Sequence, residues 1–204
     1  MDDLKQIAAE IRACTLCPLH VGRKNAVPGE GPANAEIMLI GEGPGFHEDQ
    51  QGRPFVGPSG QFLNELLALA GYRREEVFIA NVVKCRPPGN RDPLPEEIEA
   101  CSRYLDRQIA VINPKVIITL GRYSMAKFFP NAKISAIHGK ARRVNGRIVI
   151  AMYHPAAALH QPALREAIEE DFRRLREIIR AAEQQAEETQ KPERQAPSEQ
   201  LSLF

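Results

Sequence analysis

Four short apolar segments, separated by stretches long enough to form a helix, constrain the fold of this chain most strongly. They are rich in β-branched residues and cover residues 36–41, 77–83, 115–121 and 147–153. Strands that are buried on both faces of a parallel sheet have continuous apolar sequences of this kind. The pattern therefore predicts an α/β fold, a three-layer α/β/α sandwich with a central four-stranded parallel sheet.

The segments between these strands carry helix signals. A first helix is predicted over residues 3–13, Ser59 is predicted to cap a second helix that ends at Gly71, and Pro95 begins a third. A fourth helix, from about Gln161, is predicted to close the sheet. In open α/β sheets ligands bind at the carboxyl ends of the strands, so functional residues are expected there.

Length and composition predict one domain over residues 1–182 and a disordered tail over residues 183–204. Residues 184–199 contain almost no apolar side chain larger than alanine, too little to order a segment. Five acids and two bases lie from residue 183 onward, which leaves a net charge of +4 on the domain. This charge is weak evidence for a polyanionic partner.

The apolar segments are far shorter than the roughly 20 residues that span a bilayer, and the N-terminus is charged from its second residue. Four cysteines in such a chain favour reduced thiols or a metal site over disulfides. We expect a cytoplasmic monomer with no membrane partner.

The first strand runs into the glycine-rich sequence Gly41-Glu42-Gly43-Pro44-Gly45, which resembles the start of a phosphate loop. The loop lacks the Gly-Lys-Ser/Thr that supplies charge to a bound phosphate. Acidic residues, Glu42 among them, would repel a polyanion. The loop is better suited to a neutral planar ligand or to a developing cation.

Two polar residues follow other predicted strands. Asn81 lies inside an apolar strand, where its amide either caps a neighbouring loop or reads the edge of a base with its donor and acceptor. His154 follows the fourth strand, where a lone histidine is usually structural. Because the carboxyl ends of parallel strands meet at one edge, Glu42, Asn81 and His154 are predicted to converge.

The cysteines form a second constellation: a C-x2-C pair, one cysteine after the second strand, and one on the Pro95 helix. They are Cys14, Cys17, Cys85 and Cys101. Four thiolates complete a zinc or an iron-sulfur site, and the sixteen-residue spacing of the last two is long for a zinc ribbon. Alternatively, Cys101 is a core residue on the apolar face of its helix.

Four motifs together resemble the family-four, iron-sulfur uracil-DNA glycosylases of bacteria and archaea. They are CTLCPLHVGRKNAVPGEGP, GEGPGFHEDQQGRPFVGPSGQFLNELL, NVVKCRPPGNRDPLPEEIEAC and HPAAAL. The resemblance covers roughly residues 1 to 180 in order. It implies a 4Fe-4S cluster on the four cysteines and hydrolytic removal of uracil from uracil-containing DNA.

The resemblance also implies individual roles. Phe55 stacks on the flipped uracil, Asn81 bonds its edge, and His154 stabilises the uracil anion. Glu42 positions water or stabilises the sugar cation. Further contributors to substrate binding are Gly43, Glu48 and Asn90. Leu159 is the nearest candidate for a wedge in the duplex.

The last five residues, QLSLF, resemble the pentapeptide that binds the bacterial DNA polymerase sliding clamp. The predicted contact residues are Gln200, Leu201, Leu203 and Phe204, and the three apolar ones end an otherwise polar tail. We expect this tail to dock the enzyme on the clamp.

Two rival functions are weighed against this interpretation. A related glycosylase that crosslinks to DNA would need a nucleophilic histidine in a basic insertion, where this chain has only FHEDQQGR. A non-catalytic iron-sulfur module that binds nucleic acid would not need Glu42, Asn81 and His154 together. The missing insertion argues against the first rival, and the presence of all three residues argues against the second, so the glycosylase is favoured.

Overall fold

The computed structural model describes residues 3–190 of the chain, and a mixed five-stranded sheet lies at its centre. The strand order across the sheet is β2-β1-β3-β5-β4. Strands β1, β2, β3 and β5 are parallel, whereas β4 runs antiparallel to β5. The strands are β1 Ile37–Gly41, β2 Phe78–Asn81, β3 Val116–Leu120, β4 Lys140–Val144 and β5 Arg147–Met152.

The α/β prediction is confirmed, and all four predicted strands are present, but the count of four strands is wrong. The additional strand, β4, was missed because three of its five residues are basic and it lies exposed at the edge of the sheet. Asn145 and Gly146 join it to β5, with φ angles of 49° and 79°. An Asn-Gly pair with two positive φ angles is typical of a tight hairpin, so this pair was the available signal.

Helices cover both faces of the sheet. The α-helices are α1 Leu4–Ala13, α2 Leu19–Gly22, α3 Phe46–Gln51, α4 Pro58–Leu69, α5 Pro95–Ile112, α6 Arg122–Ala126, α7 Ile134–Ile137, α8 Ala156–His160, α9 Arg165–Arg173 and α10 Leu175–Gln190. Helices α4, α9 and α10 pack on one face, and α5 and α6 pack on the other. The result is the predicted three-layer sandwich.

The helix boundaries differ from the sequence prediction in three places. The closing helix predicted from about Gln161 begins at Arg165 and is divided at Arg174 into α9 and α10. Gly57 occupies the N-cap position of α4, and Pro58 fixes the first helical turn, so Ser59 lies inside the helix and does not cap it. Helix α10 continues to Gln190, beyond the predicted domain boundary at residue 182. Its sequence, AAEQQAEETQ, consists mostly of strong helix formers, which explains the extension.

The end of the predicted tail, including Gln200, Leu201, Leu203 and Phe204, lies outside the described residues. Within residues 3–190, no helix is both long enough and apolar enough to cross a bilayer.

Candidate active site at the carboxyl edge of the sheet

An open cleft of about 760 Å³ lies at the carboxyl edge of the sheet. Its walls come from the loops that follow β1, β3 and β5 and from the segment before α5. Four of the predicted site residues line it: Glu42, Gly43, Asn90 and His154. Asn81 and Phe55 lie behind its wall, with only 1% and 5% of their surface exposed.

Glu42 follows the last residue of β1 and is half-buried in the cleft. Burial raises the pKa of its carboxyl group to about 6, and the negative charge of Asp92 adds to the effect. The guanidinium of Arg122 opposes this shift, and Arg122 is itself ion-paired with Asp92. Glu42 is therefore mostly ionised at neutral pH and becomes protonated in mild acid.

Asn81 is the last residue of β2 and pairs in register with Gly41 on β1. Its side-chain Oδ1 is a buried polar atom that has no hydrogen-bond partner within residues 3–190. Such an atom costs about 1–3 kcal/mol when it stays unpaired, and an N–H donor from a ligand or a water would remove that cost. The sequence is compatible with an amide that caps a loop, but in the described part of the chain the Oδ1 atom makes no such bond.

Because Gly41 has no side chain, the Asn81 amide can lie close to the backbone of β1. A Cβ atom at residue 41 would lie 2.4 Å from Oδ1 of Asn81 and 2.7 Å from the ring of Phe55. Both distances are too short for real atoms, so a larger residue would displace the amide or the ring. Sequence reasoning assigned Gly41 no such role, because the need for a glycine depends on how β2 and the Phe55 loop meet.

The Phe55 ring stacks on the imidazole of His154, with ring centroids 5.5 Å apart and planes at 29°. The backbone of Phe55 has a φ angle of 50°, which is rare for a residue with a bulky side chain. Glu48 holds this loop, because its Oε1 accepts hydrogen bonds from the backbone N–H groups of Val56, at 2.9 Å, and Gly57, at 2.8 Å. Arg74 donates to the Phe55 carbonyl at 3.0 Å.

Glu48 therefore does not line the cleft itself but contacts the loop behind its wall. It is 7% exposed, and its carboxylate shapes the loop that carries Phe55. The sequence predicted it as a substrate-binding residue, and these contacts describe a positioning role.

His154 follows β5, and its protonation state follows from its surroundings. Although part of the side chain reaches the cleft, the protein packs closely around the imidazole, and this burial lowers its pKa to about 4. The charge of Glu48 opposes the shift only in part. The backbone N–H of Ala156 donates to Nδ1 over 3.1 Å. The neutral imidazole therefore carries its proton on Nε2.

Asn90 lies on the loop between β2 and α5, where its φ angle is 55°. Its Oδ1 accepts a hydrogen bond from Nε of Arg86 at 2.7 Å. The same loop is tied to α5 by Arg91, which donates two hydrogen bonds to the buried carboxylate of Glu97. Gly43 is held close to Val83, since a Cβ at residue 43 would lie 2.7 Å from its Cγ2.

The four cysteines line one small cavity of about 10 Å³ beside this loop: Cys14, Cys17, Cys85 and Cys101. Arg23 donates to the sulfur of Cys85 at 3.1 Å, and the backbone N–H of Lys84 donates to that of Cys101 at 3.3 Å. Burial raises the pKa of the Cys101 thiol to about 11.

Within residues 3–190, no three His, Cys, Asp or Glu side chains converge closely enough to hold a single metal ion. All four cysteines nonetheless line one cavity, and four thiolates are the ligand set of a structural zinc or of an iron-sulfur cluster. The N–H donors to sulfur are of the kind that stabilise cluster thiolates. The residues present therefore fit a four-cysteine cluster.

The fold and site define an α/β protein with a mixed central sheet and an open cleft, lined by Glu42 and His154, at the carboxyl edge of its parallel strands. The chain belongs to the uracil DNA glycosylase superfamily, whose family model matches residues 28–179. Its relatives place it in the type-4 family of that superfamily.

Three similar proteins illustrate this relationship. The type-4 uracil-DNA glycosylase of Saccharolobus solfataricus is 52% identical over 190 residues, which is 88% of this chain and 88% of that protein. That of Sulfurisphaera tokodaii is 50% identical over 188 residues, covering 87% of this chain and 86% of its own. That of Archaeoglobus fulgidus is 49% identical over 188 residues, covering 87% and 94%.

Proposed function

We propose that this protein is a uracil-DNA glycosylase, a hydrolase that removes uracil from DNA and leaves an abasic site for base excision repair. Membership of the superfamily and the similarity to type-4 enzymes support this function. The observation that carries it is the buried Oδ1 of Asn81, which has no partner in the described part of the chain and lies beside the aromatic ring of Phe55. A base must leave the duplex stack to reach such a position.

Asn81 is proposed to recognise the base. Uracil presents an N3–H donor next to an O4 acceptor, and a carboxamide complements both, with Oδ1 accepting and Nδ2 donating. Cytosine presents the opposite pattern on this edge, so a fixed amide rejects it. The Phe55 ring offers an apolar face for the flipped base.

His154 is proposed to stabilise the leaving group. Cleavage of the N-glycosidic bond leaves negative charge on the uracil oxygens, and a fixed N–H donor lowers the energy of that state. Nε2 of His154 can donate this hydrogen bond because Ala156 occupies Nδ1. Since the pKa of His154 is about 4, the donor is a neutral imidazole throughout the physiological pH range.

Glu42 is proposed to act on the sugar side. The deoxyribose gains positive charge as the bond breaks, and a nearby carboxylate either stabilises that charge or orients the attacking water. Because the pKa of Glu42 is raised to about 6, the group is ionised above that pH and able to perform either task. Asp92 and Arg122 adjust this pKa in opposite directions.

Three further residues are proposed to support substrate binding. Gly43 and Asn90 line the cleft. Glu48 acts indirectly, because it fixes the loop that presents Phe55. This loop conformation is strained at Phe55, and backbone strain is commonly found at functional sites.

The four cysteines are proposed to hold a 4Fe-4S cluster: Cys14, Cys17, Cys85 and Cys101. When bound, such a cluster would act as a structural tie between the start of the chain and the loop before α5. The chain contributes the N–H donors from Arg23 and Lys84 to the sulfurs. Because the loop that carries Cys85 continues to Asn90, the tie would also hold one wall of the cleft.

The C-terminal residues Gln200, Leu201, Leu203 and Phe204 are proposed to dock the enzyme on the bacterial sliding clamp. The support is the sequence QLSLF alone. Deletion of residues 200–204 should abolish clamp binding and leave uracil excision from free oligonucleotides unchanged. Clamp binding that survives the deletion would remove the proposal.

The experiment for the main proposal uses oligonucleotides that contain one uracil, in single-stranded and duplex form. The purified protein should make them sensitive to alkaline cleavage at the uracil, and Asn81→Ala and His154→Ala should lose most of this activity. Matched oligonucleotides with thymine in place of uracil should remain intact. The absence of cleavage by the unmutated protein would overturn the proposal.

A further inference from the structure

An exposed aromatic side chain stands at the rim of the cleft. Phe46 is the first residue of α3 and directly follows Gly45, which lines the cleft. The residue is 51% exposed, among the most exposed large apolar residues in the described part of the chain. Single exposed apolar residues are common on protein surfaces, so the contacts around Phe46 decide whether it has a role.

These contacts hold the ring in a defined place relative to the cleft. The guanidinium of Arg86 lies over the Phe46 ring, 5.2 Å from its centroid. Nε of the same arginine donates to Oδ1 of Asn90, which lines the cleft. The ring of His47 meets Phe46 edge-on at 5.5 Å and 84°. Phe46 is therefore an oriented aromatic group, flanked by a cation and connected to the cleft wall.

We propose that Phe46 and Arg86 form a second base-binding subsite, on which an unstacked nucleobase next to the flipped nucleotide stacks. An exposed aromatic ring beside a cationic group is the arrangement by which proteins bind single-stranded nucleic acid without reading its sequence. This inference rests on the proposed function, because it places the uracil-containing strand in the cleft. It adds a contact outside the uracil pocket.

The subsite distinguishes single strands from duplexes. In a duplex each base is already stacked on its neighbours, so an aromatic platform gains contacts only with a base that has lost a neighbour. In a single strand such bases are freely available. Phe46 should therefore strengthen binding to single-stranded DNA more than binding to a fully paired duplex.

The first test uses tryptophan fluorescence, because the chain contains no tryptophan. Phe46→Trp creates a single reporter on the proposed platform, and stacking of a base on indole should quench its emission. The matched control is Leu69→Trp, at a residue that is 43% exposed. Leu69 ends α4, near Gly71 and Tyr72, which line a separate cleft.

Addition of a single-stranded oligonucleotide without uracil should quench Phe46→Trp strongly and Leu69→Trp little. Equal quenching of the two variants, or none in either, would overturn the proposal. Because this oligonucleotide is not a substrate, the result does not depend on catalysis. Uracil excision by the unmutated protein, measured separately, tests the proposed function.

The second test is Phe46→Ala, which removes the platform and leaves the uracil pocket intact. The dissociation constant for a single strand should rise by about fivefold or more, as expected when one stacking contact is lost. The dissociation constant for a fully paired duplex should rise by a smaller factor. An equal change for both forms, or no change for the single strand, would refute the subsite.

Discussion

The side-chain oxygen of Asn81, unpaired among the described residues, leads to a prediction in which stability and activity change in opposite directions. Asn81→Leu replaces the carboxamide by an apolar group of similar shape at a site that is 1% exposed. The buried Oδ1 lacks a partner within residues 3–190, and such an atom costs about 1–3 kcal/mol. Leucine removes this cost. Its two methyl groups are larger than the amide oxygen and nitrogen that they replace, so crowding against Phe55 offsets part of the gain in stability.

We therefore expect Asn81→Leu to be as stable as the unmutated protein or up to about 1 kcal/mol more stable. Activity should change in the opposite direction. Two hydrogen bonds to the uracil edge are lost, which together are worth about 2–3 kcal/mol, or about 30- to 150-fold in kcat/KM. A native residue that lowers the free energy of unfolding relative to its replacement, but raises activity, is retained for function.

Gln108→Met is the matched control, because Gln108 is also a buried amide but has partners for both of its polar atoms. Its Oε1 accepts from Nζ of Lys84, and its Nε2 donates to the Pro28 carbonyl, each at 2.7 Å. Its replacement removes both hydrogen bonds: the Pro28 carbonyl loses this donor, and Lys84 Nζ keeps only its bond to the Asn81 carbonyl at 2.9 Å. This loss should destabilise the protein by about 3 kcal/mol or more.

The assays are urea unfolding followed by circular dichroism and single-turnover excision from a uracil oligonucleotide, with all variants at equal iron content. The reasoning is refuted if Asn81→Leu is destabilised as much as Gln108→Met. It is also refuted if Asn81→Leu excises uracil within about threefold of the unmutated protein.

Three further predictions follow from the site. Because the pKa of Glu42 is about 6, the single-turnover rate should fall as the pH drops below that value. Glu42→Gln should be slower at neutral pH and should lose this decrease in acid. An unchanged pH profile in the variant would contradict the role assigned to Glu42. Gly41→Ala should reduce the rate of uracil excision by about 100-fold or more, because the new Cβ would lie 2.4 Å from Oδ1 of Asn81. Gly22→Ala is the control: a Cβ at residue 22 meets nothing within 4 Å, so this variant should retain activity in the same assay. Cys101→Ser should lower both bound iron and the midpoint of thermal unfolding, and a variant with full iron content and unchanged stability would contradict the ligand assignment.

The sequence predicted the parts of this protein that depend on local pattern. Buried parallel strands have a clear apolar signature, and their carboxyl ends must share one edge, so the approximate places of Glu42, Asn81 and His154 followed from the strand assignment. The four cysteines were also grouped from their spacing as a zinc or iron-sulfur site, and the resemblance to a known family added the 4Fe-4S cluster and the individual roles. The edge strand β4 was missed because its exposed, basic sequence carries no such signature.

Contacts between distant loops were beyond sequence reasoning. That Glu48 holds the Phe55 loop, and that Gly41 leaves room for the Asn81 amide, follow from how three separate segments meet. The pairing of Arg86 with Phe46 is of the same kind, since 40 positions separate the two residues. Local sequence specifies neither the distance nor the orientation of such groups.

The central claim is that the site removes uracil by hydrolysis of the N-glycosidic bond. The most direct measurement is mass spectrometry of both products after incubation of the protein with a uracil-containing oligonucleotide. The account predicts free uracil, a DNA strand that is unbroken before alkali and carries one abasic site, and unmodified protein. Uracil that stays in the DNA, or a protein mass increased by that of the oligonucleotide, would contradict it.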